Sequence, residues 1–592
     1  MRKIFALLSL LIVASMALAA CGGGAPSATQ APTDQPAQPA ATTAPEQPAA
    51  TEAPAYHGTL RVNVGTFPDI MDPQKSSFVN EIAVLQMVYE GLTRLNGDLE
   101  TVPAAAESWK YNGDATELVF TLRKGLTYSD GSMLNAARYE YSLHRNIDPA
   151  TGGEYASITN DIAGAADWNS CTENCDDKKA VVMETVKASH ADGAACTGYD
   201  DAACDTLTLK FTQPAPYFHT VASLWVTYPA KQELIEAGGE DWWLDSDNHV
   251  GNGPFVMTNL EQGVNVHFAP NEVYWAGVPS YDLDYSFITD GAVAFEAYKN
   301  NELDINGLAA EDLATVQADP VLSKEAYIYP GSCSFAMMYH QLKAPFNDPK
   351  VREAFSYALD RDAWVTDVLK GLGSSTLTWI PKGFPGYKDG ETRWGYDPAK
   401  AVQTLTDAGY KVEGGKLIGP DGKAIEITDT FSDTPRNRTR NEWLVAKWKE
   451  VLGIDIKLDP VESTTYTALT KDINTAPQMY ILGWCADYPD PQNWLSVYWK
   501  TGAFGQRIGY SNPDLDALLT QADGELDPAK RADLYQQAQD MLVAGVPVSF
   551  MWNNVNTYMV KPWVTNINKT PMDFGWIGSM DPLSVQVAEP TK

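Results

Sequence analysis

The sequence predicts an α/β fold with long excursions from a central sheet, on three observations. Short runs that alternate apolar and polar residues recur along the chain, stretches with helical spacing separate them, and 592 residues are too many for one hydrophobic core. Residues 59–64 alternate as a strand, and 80–89 then read as a helix that stops at Gly91. Residues 117–122 form the next strand and lead into Tyr128-Ser129-Asp130-Gly131, a turn with Asp-Gly chemistry. Residues 207–211 alternate again. Helices are expected at 292–300, 349–359, 398–408, 436–452, 513–522 and 528–544. The helix at 513–522 follows Asn512-Pro513, an N-cap with proline at the first helical position. No internal repeat is present.

Two segments precede this body. Met1-Arg2-Lys3 is followed by an apolar run from Ile4 to Ala20, ending in Leu18-Ala19-Ala20-Cys21-Gly22. A basic start, a short apolar core and small residues before a cut site predict a secretory signal peptide over residues 1–20. The cysteine after Ala-Ala is similar to the lipobox of bacterial lipoproteins, which makes Cys21 the expected lipidation site. A transmembrane anchor is the alternative, but the run is at the short limit for a span and rich in Ala and Ser. From residue 22 to 55 the chain is almost wholly Gly, Ala, Pro, Thr, Gln and Ser, with nothing to build a core. Residues 21–55 are therefore expected to be a lipid-bearing disordered tether, reaching on the order of 30 Å. The folded body is expected to start near Tyr56.

Lys plus Arg number 43 against 76 Asp plus Glu, a formal charge of −33, which argues against a nucleic-acid or anionic-lipid surface. Any membrane attachment must then come from the lipid, because no second apolar run is long enough to span a bilayer. The 17 Trp and 28 Tyr suit either a large core or ligand stacking. With Cys21 set aside, six of the seven cysteines remain, an even number for an exported protein. Cys171, Cys175, Cys196 and Cys204 cluster in the Asp-, Gly- and Ala-rich stretch 169–205, which predicts a surface insertion stapled by two disulfides. Pairing 171 with 175 and 196 with 204 is one of three connectivities the sequence leaves open. The spacings C-x3-C and C-x7-C fit a zinc site poorly. Acidic turns there lack EF-hand spacing for calcium. No metal and no cofactor are expected.

Enzyme signatures are missing as well. There is no H-E-x-x-H, no G-x-S-x-G and no P-loop, and the seven histidines (57, 144, 190, 219, 249, 267 and 340) form no paired spacing. A glycoside hydrolase needs only two carboxylates, so so acidic a chain leaves that one enzyme class open.

Several motifs in order resemble one family. They are Val88-Tyr89-Glu90-Gly91-Leu92, Ala106-Glu107-Ser108-Trp109, Phe120-Thr121-Leu122-Arg123-Lys124-Gly125 and Ser129-Asp130-Gly131. Gly251-Asn252-Gly253-Pro254-Phe255 and Asn271-Glu272-Val273-Tyr274-Trp275 follow, then Ala344-Pro345-Phe346-Asn347-Asp348-Pro349-Lys350-Val351-Arg352-Glu353-Ala354 with Ala358-Leu359-Asp360-Arg361. Late in the chain stands Gly483-Trp484-Cys485-Ala486-Asp487-Tyr488-Pro489-Asp490-Pro491. Together these are similar to the extracytoplasmic solute-binding proteins of ABC importers, of the dipeptide and oligopeptide type (solute-binding family 5). The resemblance implies a two-lobed clamp of the class II periplasmic-binding-protein kind with an extra domain, three domains in all. Carried over, 56–90, 229–331 and 552–592 form the core domain of lobe 1, 91–228 the additional domain, and 332–551 lobe 2. The cysteine-rich insertion falls in the additional domain, between a strand near Glu184 and another at Leu207. The implied partners are a peptide and an ABC permease. The implied state is a monomer on the outer face of the bacterial cell membrane, in the periplasm or at the cell surface. An oligosaccharide or another small solute is the alternative ligand.

The same resemblance marks Asp487 as the residue that pairs with a ligand's α-amino group. Peptide N-termini have a pKa near 7.7–8 and are cationic at neutral pH. The strand Gly483, Trp484, Cys485 would offer main-chain hydrogen bonds to an extended peptide, with Trp484 at a side-chain pocket and Tyr488 beside it. Cys333 and Cys485 match a disulfide pair of oligopeptide-binding relatives. The competing reading is that Asp-Tyr-Pro-Asp-Pro is only a turn. One departure stands out: some relatives carry an arginine shortly before the tryptophan, where this chain has Tyr480, Ile481 and Leu482.

Overall fold

Two strands, Ala326–Tyr339 and Val548–Val560, are longer than all others and run antiparallel through the middle of the molecule. The computed structural model describes residues 58–589, so the expected signal peptide, Cys21 and the tether lie outside the described residues. Ala326 to Pro330 pair with Met559 to Val555, and Ser334 to Met338 pair with Asn553 to Val548. Between Pro330 and Ser334 the register slips. Proline has no N–H to give to a ladder, and such a slip bends the strand that carries it. On one side of this seam Val548–Val560 leads to Ile305–Gly307, Gly58–Asn63, Tyr281–Ser286, Asn265–Pro270 and Phe255–Glu261. On the other, Ala326–Tyr339 leads to Met479–Cys485, Ile427–Ser432 and Ile456–Val461. The result is a two-lobed α/β clamp whose lobes share the two crossing strands.

The additional domain is built on a separate four-stranded antiparallel sheet, in the order Ala106–Tyr111, Glu117–Leu122, Thr206–Lys210, Val186–Ser189. Its cysteine-rich excursion contains the disulfides Cys171–Cys175 and Cys196–Cys204. The strand expected near Glu184 is Val186–Ser189; Glu184 itself lies in the last turn of the helix Asp176–Thr185. Two aspartates open that helix, where acidic side chains complement the exposed N–H groups, and Cys175 stands at its N-cap.

Most expected helices fall within two residues of their spacing: Val79–Val88, Gly291–Lys299, Pro349–Tyr357, Pro398–Asp407, Pro435–Leu452, Pro513–Gly524 and Pro528–Ala544. Five begin alike. Asp348, Asp397, Thr434, Asn512 and Asp527 each cap the first turn with a side-chain oxygen, and proline follows. The helices Ala136–Ile147 and Pro491–Trp499 were not expected. Eight of the 17 tryptophans are fully buried, so much of the aromatic content is core rather than ligand surface.

Within lobe 2 the strand Ile427–Ser432 buries Asp429 completely, and neither carboxylate oxygen has a hydrogen-bond partner. Burial pushes its pKa well up. A folded pKa above the unfolded value near 3.9 means that the fold holds the proton more tightly, so stability is lost as pH rises through the folded pKa. Asp429→Asn is expected to gain at least about 1 kcal/mol at neutral pH. Urea denaturation across pH checks this; wild-type and variant stabilities that run parallel with pH would contradict it.

Candidate functional site

The strand Met479–Cys485 presents an open edge. Ala486 N–H donates to the Ser332 carbonyl at 2.9 Å, and antiparallel pairs alternate. In the pairs Trp484–Ser334 and Leu482–Ala336 the main-chain groups therefore face each other across the ladder. Those of Ile481, Gly483 and Cys485 face the opposite side. There the neighbouring strand Ile427–Ser432 touches only at Asp429 and Met479. The Ile481 carbonyl accepts from the Tyr466 hydroxyl at 2.5 Å. Among the described residues Gly483 and Cys485 have no partner strand on this edge, the arrangement to which an extended chain can add.

Two features fix this edge. Cys333 and Cys485 are opposite one another in the ladder and are joined by a disulfide across 152 residues of sequence. A side chain at position 483 would collide with Phe335, because a Cβ there would lie 2.5 Å from a ring carbon. Only glycine lets the two strands approach with Phe335 over them.

Beyond the strand, the two aspartates of the motif divide the work. Asp490 caps the helix Pro491–Trp499 by accepting from Gln492 N–H at 2.9 Å. It also takes both arms of Arg531, at 2.7 and 2.8 Å. Asp490 is thus structural. Among the described residues no cation pairs with Asp487. Its Oδ2 accepts from the Tyr155 hydroxyl of the additional domain and from Asn493 Nδ2 at 2.8 Å. Asn493 is fully buried in the first turn of that helix. Its Oδ1 accepts from Asp487 N–H at 3.1 Å and from the Trp484 indole at 3.2 Å, so one amide sets both the carboxylate and the tryptophan.

Burial raises the Asp487 pKa to about 6, against the lowering effect of Tyr155 and Asn493. The carboxylate is ionised at neutral pH yet surrounded only by neutral donors. It opens into a cavity of about 170 Å3 that Glu90, Arg94, Trp225, Tyr274 and Asp581 also line. Glu90 is already engaged by the Tyr274 hydroxyl and the Trp275 indole, both at 2.6 Å. Tyr155 stacks on Trp225 with ring centroids 5.3 Å apart, which anchors its hydroxyl.

The remaining expected site residues are placed as follows. Gly483, Trp484, Cys485 and Asp487 converge on the edge and its end. Trp484 is half-buried and packs against Phe504 at 4.8 Å and Tyr498 at 5.4 Å. Tyr488 does not join them: its ring is wholly buried and its hydroxyl bonds Gln492, because chain reversal after Asp487 turns it into the core. Tyr155 and Asn493 escaped the sequence reading. The only local sign of Asn493 was its place in the first turn after Asp490-Pro491; Tyr155 is 332 residues away from its partner and left no sign.

A family model described as bacterial extracellular solute-binding proteins, family 5 Middle, matches residues 100–506. The oligopeptide-binding protein OppA of Bacillus subtilis (strain 168) is 24% identical over 566 residues, covering 94% of this chain and 96% of that protein. The periplasmic oligopeptide-binding protein OppA of Escherichia coli (strain K12) is 27% identical over 531 residues, covering 87% and 91%. Among solved structures, the Escherichia coli murein tripeptide binding protein MppA aligns with a TM-score of 0.74 at 23% identity, over 90% of this chain and 99% of that one. Haemophilus influenzae OppA in complex with RPPGFSPFR aligns with a TM-score of 0.72 at 23% identity, over 90% and 99%. These structures share the two-lobed fold.

Removing the disulfide with Cys333→Ser and Cys485→Ser is expected to cost about 3–5 kcal/mol of unfolding free energy, because so long a loop is closed. Urea denaturation of the double variant measures it. A loss below about 1 kcal/mol would show that the ladder alone holds the edge.

Proposed function

Since the chain belongs to the bacterial extracellular solute-binding proteins of family 5, we propose that it is the receptor of an ABC importer. In this reading it captures peptides between its lobes and hands them to a membrane permease. The observation that carries this is Asp487: an enclosed, ionised carboxylate with no cation, at the end of an unpaired strand edge. A peptide supplies both missing parts, an ammonium for the carboxylate and an extended backbone for Gly483 and Cys485. At about 4 Å such a charge pair is worth roughly 4 kcal/mol before desolvation, at an effective dielectric near 20. Backbone pairing reads no side chains, which suits a receptor for many sequences. The relatives named as oligopeptide-binding proteins support the choice of ligand.

The remainder of the reading follows the same line. The protein is a binding protein, not an enzyme, and acts as a monomer outside the cytoplasm. A lipid on Cys21 and a tether to residue 55 hold it beside the importer, which raises the local concentration of loaded receptor. No described helix is long and apolar enough to cross a membrane. Residues 56–90, 229–331 and 552–592 act as the core domain of lobe 1, 91–228 as the additional domain, and 332–551 as lobe 2. The Tyr155 hydroxyl reaches across to Asp487, so an arriving ammonium joins a contact that already links the additional domain to lobe 2.

Asp487→Asn, or N-acetylation of the peptide, is expected to weaken binding tenfold or more by calorimetry, close to the energy of one charge-assisted hydrogen bond. Unchanged affinity in both cases removes Asp487 from the site. For the wild type, affinity is expected to be greatest between the carboxylate's pKa of about 6 and the amine's near 7.7–8. Below that window Asp487 takes up a proton; above it the ammonium loses one. The raised pKa also means that the fold loses stability as pH rises from about 4 through about 6, so Asp487→Asn should melt higher than the wild type at pH 7. An affinity flat from pH 5 to about 8 would contradict the assignment.

A further inference from the structure

Away from Asp487 and the strand edge, the additional domain meets lobe 2 through one buried tyrosine. Tyr217 is 3% exposed, and its hydroxyl donates to Asp161 Oδ2 of its own domain at 2.8 Å. From lobe 2, Gln492 Nε2 donates to that same hydroxyl oxygen at 3.2 Å, and Gln492 Oε1 accepts from the Tyr488 hydroxyl. One run of hydrogen bonds therefore passes from Tyr488 through Gln492 and Tyr217 to Asp161, with every donor pointing the same way. The Arg531 guanidinium carbon lies 5.4 Å from the centre of the Tyr217 ring, while both its arms hold Asp490. Leu95 of the additional domain, also buried, joins the hydrophobic cluster that contains Trp494 and Tyr498 of lobe 2.

These contacts are complete within the protein. Asp161 and Asp523 line one cavity of about 710 Å3, and their like charges oppose each other. Lys500 holds Asp523 Oδ2 at 2.6 Å, however, and the Ser496 and Tyr535 hydroxyls both reach its Oδ1 at 2.6 Å. Asp161 thus meets a neutralised acid, and closure is not resisted by a bare charge. Two other contacts cross the same gap. Lys471 with Glu154 is a 3.6 Å pair exposed on both sides and worth little. Tyr155 with Asp487 belongs to the ligand site. The Tyr217 seat is the buried contact that needs no ligand to complete it.

We propose that Tyr217 is a latch: seated against Gln492 and Arg531, it holds the clamp closed without a ligand, so a solute enters only when thermal motion unseats it. The inference goes beyond the peptide reading and is the same for any solute the cleft carries.

The test is single-molecule energy transfer on the ligand-stripped full chain, between dyes on exposed positions of the additional domain and of lobe 2. Non-natural amino acids carry the dyes, so the three disulfides stay intact. Without solute, the wild type should populate the closed distance more than the open one. Tyr217→Phe leaves Gln492 Nε2 without a partner in the closed form, whereas water serves it in the open form. The open-to-closed ratio should therefore rise about fivefold or more. Gln492→Leu should raise it likewise, and the double variant should add little to either, because both remove one contact. A stripped wild type that is almost wholly open overturns the inference without recourse to any variant. So do Tyr217→Phe and Gln492→Leu proteins that melt with the wild type and show its populations. No peptide is added, so these outcomes are distinct from a failure of the peptide reading.

Discussion

The site depends on one pairing, that of Met479–Cys485 with the second half of the crossing strand Ala326–Tyr339. Those strands meet just past the register slip at Pro330 to Ser334, so the binding edge is set at the seam between lobes. The Cys333–Cys485 disulfide ties the last rung, and glycine at 483 admits Phe335 over the ladder. Because Ile427–Ser432 leaves after a single contact at Met479, the same pairing that orders the strand on one side exposes its main chain on the other. An unpaired edge invites aggregation unless it is covered. Here it faces the interior of a clamp.

Electrostatics give the edge a direction. Asp487 and Asp490 are three residues apart and chemically identical, yet Asp490 is consumed by a helix cap and Arg531 while Asp487 keeps only neutral donors. Asn493 holds the carboxylate through its amide nitrogen and the backbone through its oxygen, which leaves little rotational freedom to lose on binding. The cost of keeping an anion enclosed appears as its raised pKa, a local instability that a nearby cation would relieve.

Local chemistry was legible in the sequence; contacts between distant segments were legible only through the family. Five helices announce themselves by Asp, Asn or Thr before proline, a cap whose geometry needs no tertiary partner. The rule applied equally to Asp490-Pro491, whose helix was missed because the motif was read as turn or site and not as both. The strand near Glu184 is legible, but the helix that Asp176-Asp177 opens before it is not. The tryptophan count suits either a core or ligand stacking, and eight rings are packed in cores. Tyr155 reaches its place through folding alone, and no spacing along the chain could reveal it.

The central claim is that the clamp carries a peptide, and native mass spectrometry of the protein purified from its own cells tests it most directly. The bound masses should form a family of peptides varied in composition. A hexose series, or a single small solute, would contradict it.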